Sequence, residues 1–246
     1  MGKIKKEIIK MVKKLKNLFH QYKIDGYIVP KNDEYFNEYV HPSKDRLRFI
    51  SSFSGSAGFS IILKKKNYLF VDGRYSTQAK KQVQKKFKVY IVPGKFPKDV
   101  IKNKNKITIG FDPKLHTEKQ LNFLYKIKNV NLKSINTNLV DLIWKKKPKI
   151  LQKPFFSISK NNAGLSIKNK INKVKKFLLE NKIDFLLVTA PENVAWMLNI
   201  RGHDVNLSPI PNARILVNRK GRIILFSESK KIKNIKNIFN NKINFI

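Results

Sequence analysis

Apolar residues recur at helical spacing through residues 4–22, at Ile4, Ile8, Met11, Val12, Leu15, Leu18 and Phe19, with lysines between them. That period predicts an amphipathic helix with one side committed to a core. The next stretch, Lys23-Ile-Asp-Gly-Tyr-Ile-Val-Pro30, changes to an apolar run closed by proline and reads as a strand. Two further runs, Phe59–Leu63 and Tyr68–Val71, flank Lys-Lys-Lys-Asn67 and read as strand, polar turn, strand. A helix is predicted over 75–86, strands over 88–92 and 107–111, and another helix over 117–127. Helices and strands in alternation predict an α/β fold, a mixed sheet flanked by helices.

The same order returns later in the chain. Ile167, Ile171, Val174, Phe177 and Leu178 form a second helical stripe over 167–180, running into a strand that ends at Val188. "KIDGYIVP" matches "KIDFLLVT" at an offset of 159 residues. "AGFSIILKKKNYLF" (57–70) matches "ARILVNRKGRIILF" (213–226) at an offset of 156. Helix, strand, connection and hairpin in one order twice predict two tandem, related domains. The first spans 1–145. A linker over 146–163, where two prolines and a lysine run interrupt any period, leads to the second, 164–246. By the offset, Ile246 falls level with about Tyr90. The second domain is therefore expected to be truncated, with an unpaired sheet edge, and the chain to be a fragment of a longer protein.

Composition narrows the function classes. Of 246 residues 41% are hydrophobic, enough for packed cores. Cysteine is absent, which excludes disulfides and thiolate metal sites. The basic N-terminus has no apolar segment behind it, and no long apolar run occurs, so neither a signal peptide nor a membrane span is expected. A soluble, cytoplasmic protein is predicted. The net charge of +37 invites a nucleic-acid reading, yet only seven of the 53 basic residues are arginine. Lysine, asparagine and isoleucine are abundant together, as A/T-rich codons encode, and the lysines are spread along the chain without stacking aromatics. Salt-sensitive adhesion to polyanions is expected, and no specific nucleic acid.

The candidate chemistry is sparse. Gly55 and Gly58 open a strand and not a helix, so the phosphate-loop reading fails on context. Ser54-Gly-Ser-Ala-Gly58 fails as a nucleophile elbow for the same reason. His20, His41, His116 and His203 lack partners at metal-ligand spacing. Asp33, Glu34 and Glu38 form an acidic cluster in a polar segment where solvent or lysine partners are the ordinary fate. Asp72 is placed to cap the following helix, with Arg74 reaching a carboxylate or carbonyl. Asn199-Ile-Arg-Gly-His-Asp204 is the corresponding polar loop of the second copy, and Trp196, Arg201 and His203 are candidates for a binding cleft.

At these residues a resemblance emerges. "EYVHPSKDRLRFISSFSGSAGFSIIL…LFVDGRYSTQA" (38–79) and "PENVAWMLNIRGHDVNLSPIP" (191–211) resemble the two N-terminal domains of three-domain Xaa-Pro aminopeptidases, in the creatinase/prolidase superfamily. The matching positions are Arg46, Phe53, Gly55, Ser56, Ala57, Gly58, Asp72, Gly73, Arg74, Tyr75, Ala195, Trp196, Asn199, Arg201, Gly202 and Asp204. Ser52 departs from a Gly or Pro usual in the family, and "IPNARIL" after Pro209 replaces a more aromatic or Leu-rich stretch.

The resemblance implies two creatinase N-terminal-type domains. The metal-binding pita-bread domain, with two divalent ions, usually manganese, has no counterpart in this chain. It implies that the chain alone is inactive. Its role would be to shape access for short proline-containing peptides and to contribute to a homodimer. Arg46, Arg74, Trp196, Arg201 and His203 are then cleft candidates, and Gly55, Gly58, Asp72, Gly73, Tyr75, Asn199, Gly202 and Asp204 a structural motif. Two alternatives stay open: a free-standing creatinase-type binding or regulatory module, and a basic nucleic-acid-associated protein.

Overall fold

The first apolar stripe forms helix α1 (Gly2–Gln21), which buries Ile8, Val12, Leu15 and Phe19. The computed structural model describes residues 2–83, 87–102, 104–150, 152–236 and 243–245. The polypeptide divides into two units, Met1–Glu34 with Pro42–Pro148, and Tyr35–His41 with Lys149–Ile246.

In the first unit α1 is followed by β1 (Gly26–Pro30), α2 (Arg46–Ser51), β2 (Gly58–Leu63), β3 (Asn67–Asp72), α3 (Ser76–Gln82) and β4 (Phe87–Val92). Then come α4 (Pro97–Val100), β5 (Ile107–Phe111), α5 (Glu118–Tyr125), β6 (Val130–Ser134) and α6 (Leu139–Ile143). The strands form one sheet in the order β4-β3-β2-β1-β5-β6. β1–β2 and β2–β3 are antiparallel, and the outer pairs are parallel. Both faces are covered. Tyr27, Val29, Leu69 and Val71 join Leu15, Phe19, Leu47 and Leu139 in one cluster, while Ile28, Ile61, Phe70, Phe111 and Tyr125 fill the other. Strand residues alternate between faces, so β1, buried at all five positions, reads as an unbroken apolar run.

The second unit contains β7 (Phe156–Ser157), α7 (Lys160–Ala163), α8 (Ile167–Glu180), β8 (Phe185–Val188), α9 (Pro191–Leu198), β9 (Ile200–Arg201), β10 (Arg214–Asn218), β11 (Ile223–Phe226) and β12 (Ile243–Phe245). Its sheet runs β12-β11-β10-β8, and a separate pair joins β7 to β9. The directions repeat those of β4-β3-β2-β1: parallel at the outer pair, antiparallel at the other two. The duplication seen in the sequence is thus a duplication of topology.

Two differences separate the copies. In the first hairpin Leu63 N–H donates to Lys66 O (2.8 Å), whereas in the second Asn218 N–H donates to Arg222 O (3.0 Å), a turn one residue longer. Gly221 sits in that longer turn at φ +82°, a left-handed position that favours glycine. The second difference is cover. Leu187 is 56% exposed and Phe185 58%, whereas Ile28, the counterpart of Leu187, is 1% exposed. Among the described residues the second sheet packs one cluster, on the α8–α9 side.

The segment Tyr35–His41 belongs to this second unit through side chains. Arg214 lies over the Tyr35 ring at 4.6 Å, and Asn37 Nδ2 donates to Asn212 Oδ1 at 2.9 Å. Among the described residues no helix is long and apolar enough to cross a membrane.

Candidate functional site

The opening glycines serve close packing. A Cβ on Gly55 would lie 2.3 Å from Phe53 Cζ and 2.8 Å from Tyr75 Cδ1, and one on Gly58 would lie 2.8 Å from Phe70 O. Phe53 meets the Tyr75 ring edge-on at 5.7 Å, and the Tyr75 and Ser56 hydroxyls share a 2.7 Å hydrogen bond, which draws the tyrosine below its ordinary pKa. Asp72 caps the short 3-10 turn Gly73–Tyr75: its Oδ1 accepts from Arg74 N–H (3.0 Å) and from Arg74 Nε (2.8 Å). Arg74 is exposed, its guanidinium 5.6 Å from the Tyr75 ring centre. A Cβ on Gly73 would meet nothing closer than 3.8 Å.

Arg46 lies inside the first unit and is 2% exposed. Its Nε and Nη2 donate to the two carboxylate oxygens of Asp141 at 2.9 and 2.8 Å, and Nη2 donates to Glu34 at 2.7 Å. Lys44 adds a contact to Glu34 and Lys147 one to Asp141. Burial by itself would raise Glu34, but the charges of Arg46 and Lys44 outweigh it and hold the carboxyl down at about 2. Asp141 is lowered by the same balance. Arg46 therefore acts here as a pin between α2, α6 and the segment that follows β1. Of the acidic candidates Asp33 is buried, Glu34 is bound to Arg46, and Glu38 is exposed in the second unit.

Each histidine has its own setting. His20 ends α1, His41 lies in the Tyr35–His41 segment, and His203 is exposed beside Phe156 at 5.3 Å. His116 is buried between Phe111 and Tyr125, its Nδ1 2.9 Å from Asp112 O, and burial pushes its pKa down. Among the described residues no three His, Cys, Asp or Glu side chains come together as a metal site.

In the second unit the structure does bring several candidates together. Trp196 is half-exposed on α9, and Asn199 ends that helix in the left-handed conformation at φ 50°. Arg201 Nη1 donates to Ala195 O (3.1 Å) and Ile200 O (2.8 Å), folding it against the helix end. β7–β9 pairing sets Phe156 opposite Arg201, and His203 leans on Phe156. A Cβ on Gly202 would lie 2.7 Å from Pro211 Cα, so the chain crosses itself closely there. Asp204 is buried, accepting from Asn212 N–H at 2.7 Å and pairing with buried Lys231 at 2.9 Å. Arg46 and Arg74 belong to the first unit, and Trp196, Arg201 and His203 to the second.

Three residues that organise these clusters have no local signal in the sequence. Asp141 lies 95 positions from the arginine it binds. Lys170 and Lys231 are two lysines among many, distinguishable only by burial: they are 1% and 4% exposed. Lys170 Nζ donates to Trp196 O (2.7 Å) and Asn199 Oδ1 (2.5 Å) and lies 4.5 Å from the Trp196 ring centre.

Residues 11–142 and 146–245 each match a profile of the creatinase/prolidase N-terminal domain. The chain belongs to this family. It is 31% identical over 234 residues to a protein of Coprinopsis cinerea named probable Xaa-Pro aminopeptidase P, covering 91% of this chain and 37% of that protein. A protein of the same name from Laccaria bicolor is 34% identical over 229 residues, covering 89% and 35%. The crystal structure of an X-prolyl aminopeptidase from Caenorhabditis elegans, described as a cytosolic enzyme with a di-nuclear active site, matches with a TM-score of 0.85 at 25% identity. That match covers 97% of this chain and 42% of the other. The creatinase-type chain thus spans little more than a third of the length of the curated relatives it matches. Both halves are creatinase N-terminal-type domains, as the repeat and the resemblance led one to expect.

Proposed function

We propose that this chain is the non-catalytic N-terminal portion of an Xaa-Pro aminopeptidase, a cytoplasmic metallopeptidase that removes the residue preceding proline. The observation that carries the reading is continuous similarity across about nine-tenths of the chain to relatives bearing that name, of which it covers only 37% and 35%. The remaining length would hold the two divalent ions, manganese in this reading, and the chemistry. This portion would shape the approach of short peptides, with Trp196, Arg201 and His203 as the contributing side chains, and would take part in a homodimer. Arg46 and Arg74, each engaged with carboxylates of its own unit, would hold structure.

The first experiment is the mass of the native product in its source cells, read with an antibody against residues 1–145. A product about two to three times this chain's 28.8 kDa supports the reading, since the chain is 37% of a relative. Metal-dependent cleavage before proline should then be measured on that product, with manganese removed and restored. A native product of 28.8 kDa would sink the peptidase assignment and leave a free-standing creatinase-type binding module.

A further inference from the structure

An ammonium group buried without a carboxylate is an expensive feature, and a chain that only needed to fill that space would do so with Met or Leu. Lys170 is such a group. It projects from α8 and is 1% exposed, and no ion pair to it occurs among the described residues. Its three N–H bonds have three uses: the Trp196 carbonyl at 2.7 Å, the Asn199 side-chain oxygen at 2.5 Å, and the Trp196 ring, whose centre lies 4.5 Å away. Two of these partners are one residue, Trp196. The third, Asn199, is the left-handed residue that turns the chain from α9 into β9.

The consequences run outward from that nitrogen. Asn199 also donates from Nδ2 to Leu165 O (3.0 Å), so its amide is held from both ends and its orientation fixed. The turn it makes delivers Arg201 to the Ala195 carbonyl and sets β9 against β7, where Phe156 and His203 meet. Trp196 is 50% exposed, yet its backbone carbonyl and its ring are both tied to a buried charge. A half-exposed indole that only covered a helix end would not need this anchoring.

We propose that Lys170 is a positioning residue, whose positive charge locks the Trp196 ring and the Asn199 turn into one rigid presenting surface. Its use in peptide access rests on the reading given under Proposed function. The lock itself does not. Burial and the nearby positive charge of Arg201 both act to lower the lysine below its ordinary value of 10.5, so the lock releases at a pH where a lysine in solution still carries its charge.

The test uses fluorescence on the whole chain. The protein has two tryptophans, and Trp144→Phe, which keeps a ring against Phe49, leaves Trp196 as the sole indole. In that background the emission of Trp196 should show a transition with its midpoint below 10.5, and Lys170→Met should remove it while tyrosine ionisation remains in both. Asn199→Asp places a carboxylate on the ammonium and tolerates the left-handed turn, so the midpoint should move upward even if the methionine variant does not fold. A Trp196 signal that titrates identically in the Lys170→Met chain, or a midpoint that Asn199→Asp leaves in place, overturns the lock. Kinetics of the native peptidase test its use separately. Lys170→Met should raise KM by roughly threefold or more with kcat little changed, as expected for lost substrate contact. An unchanged KM beside a confirmed titration would overturn the access reading and leave the lock standing.

Discussion

The guanidinium of Arg46 gathers carboxylates from positions 12 and 95 residues away, and its environment is dry enough that removing it leaves two charges without their main counterion. Arg46→Ala is expected to destabilise the first unit by ~3–5 kcal/mol, the range for breaking a buried pair from one side. Urea denaturation followed by circular dichroism reads it, and a loss under 1 kcal/mol would show the pin to be ornamental. The same pin sets an acid limb. Glu34 binds its proton at about 2 when folded and at about its ordinary 4.5 when unfolded, so the unfolded chain takes up protons first. The stabilisation is therefore complete above about pH 4.5 and is lost as pH falls towards 2, and Arg46→Ala should flatten that slope. Ser52 offers the opposite case. It ends α2 in the left-handed conformation at φ 69°, a place where the resemblance to Xaa-Pro aminopeptidases leads one to expect Gly or Pro. Of these only glycine fits, since proline is locked at negative φ. Ser52→Gly should stabilise by ~0.5–1 kcal/mol, read as a rise in Tm, because relief of the positive-φ strain exceeds the added chain entropy.

Elements announced themselves in the sequence in proportion to their length and one-sidedness. α1 and α8 carry full stripes and were legible; so were both hairpins, whose runs are bounded by lysine-rich turns. α2 and α6, of six and five residues, are too short for a period to show, and α9 (PENVAWML) is apolar almost all round. β6 is a sheet edge of sequence VNLKS with little burial to mark it. The glycine segment could be placed as hairpin scaffold from context alone, but the partners of Arg46 and the burial of Lys170 are tertiary facts that no window of sequence contains. The second sheet carries its own consequence at this scale. Among the described strands β8 has β10 as its only neighbour, and Phe185 and Leu187 stand exposed on it, next to Ile183 and Leu179. An apolar edge of this kind templates association. Leu187→Glu should raise the concentration at which the chain, expressed alone, begins to aggregate, and should reduce binding of a hydrophobic dye. No change in either would mean that this face is covered in solution.

At the scale of the whole molecule the dominant quantity is a charge of +37 on 246 residues. Among the described residues Lys31–Asp45, Arg46 with its two carboxylates, and Lys231–Asp204 are paired inside the units, and most of the described lysines are exposed. Such a surface attracts any polyanion through counterion release, whatever the sequence of that polyanion. Reading a base sequence requires more, namely side chains ordered to meet base edges or stack on bases, and lysine, a flexible point charge, serves that poorly. Two of the exposed aromatics are already engaged within the chain: Trp196 is tied to Lys170, and Phe156 lies beside His203. The chain is therefore expected to bind duplex DNA and heparin at low salt with similar affinity. The logarithm of the binding constant should fall linearly with the logarithm of salt concentration, by a factor of about 10³ or more between 50 and 200 mM for a contact of six or more phosphates. Fluorescence anisotropy with duplexes of unrelated sequence reads both the slope and the preference. Equal, salt-labile binding fits a basic surface acquired through composition. A tenfold preference for one sequence that survives 200 mM salt would instead revive the nucleic-acid reading and require a binding face that the lysines alone do not build.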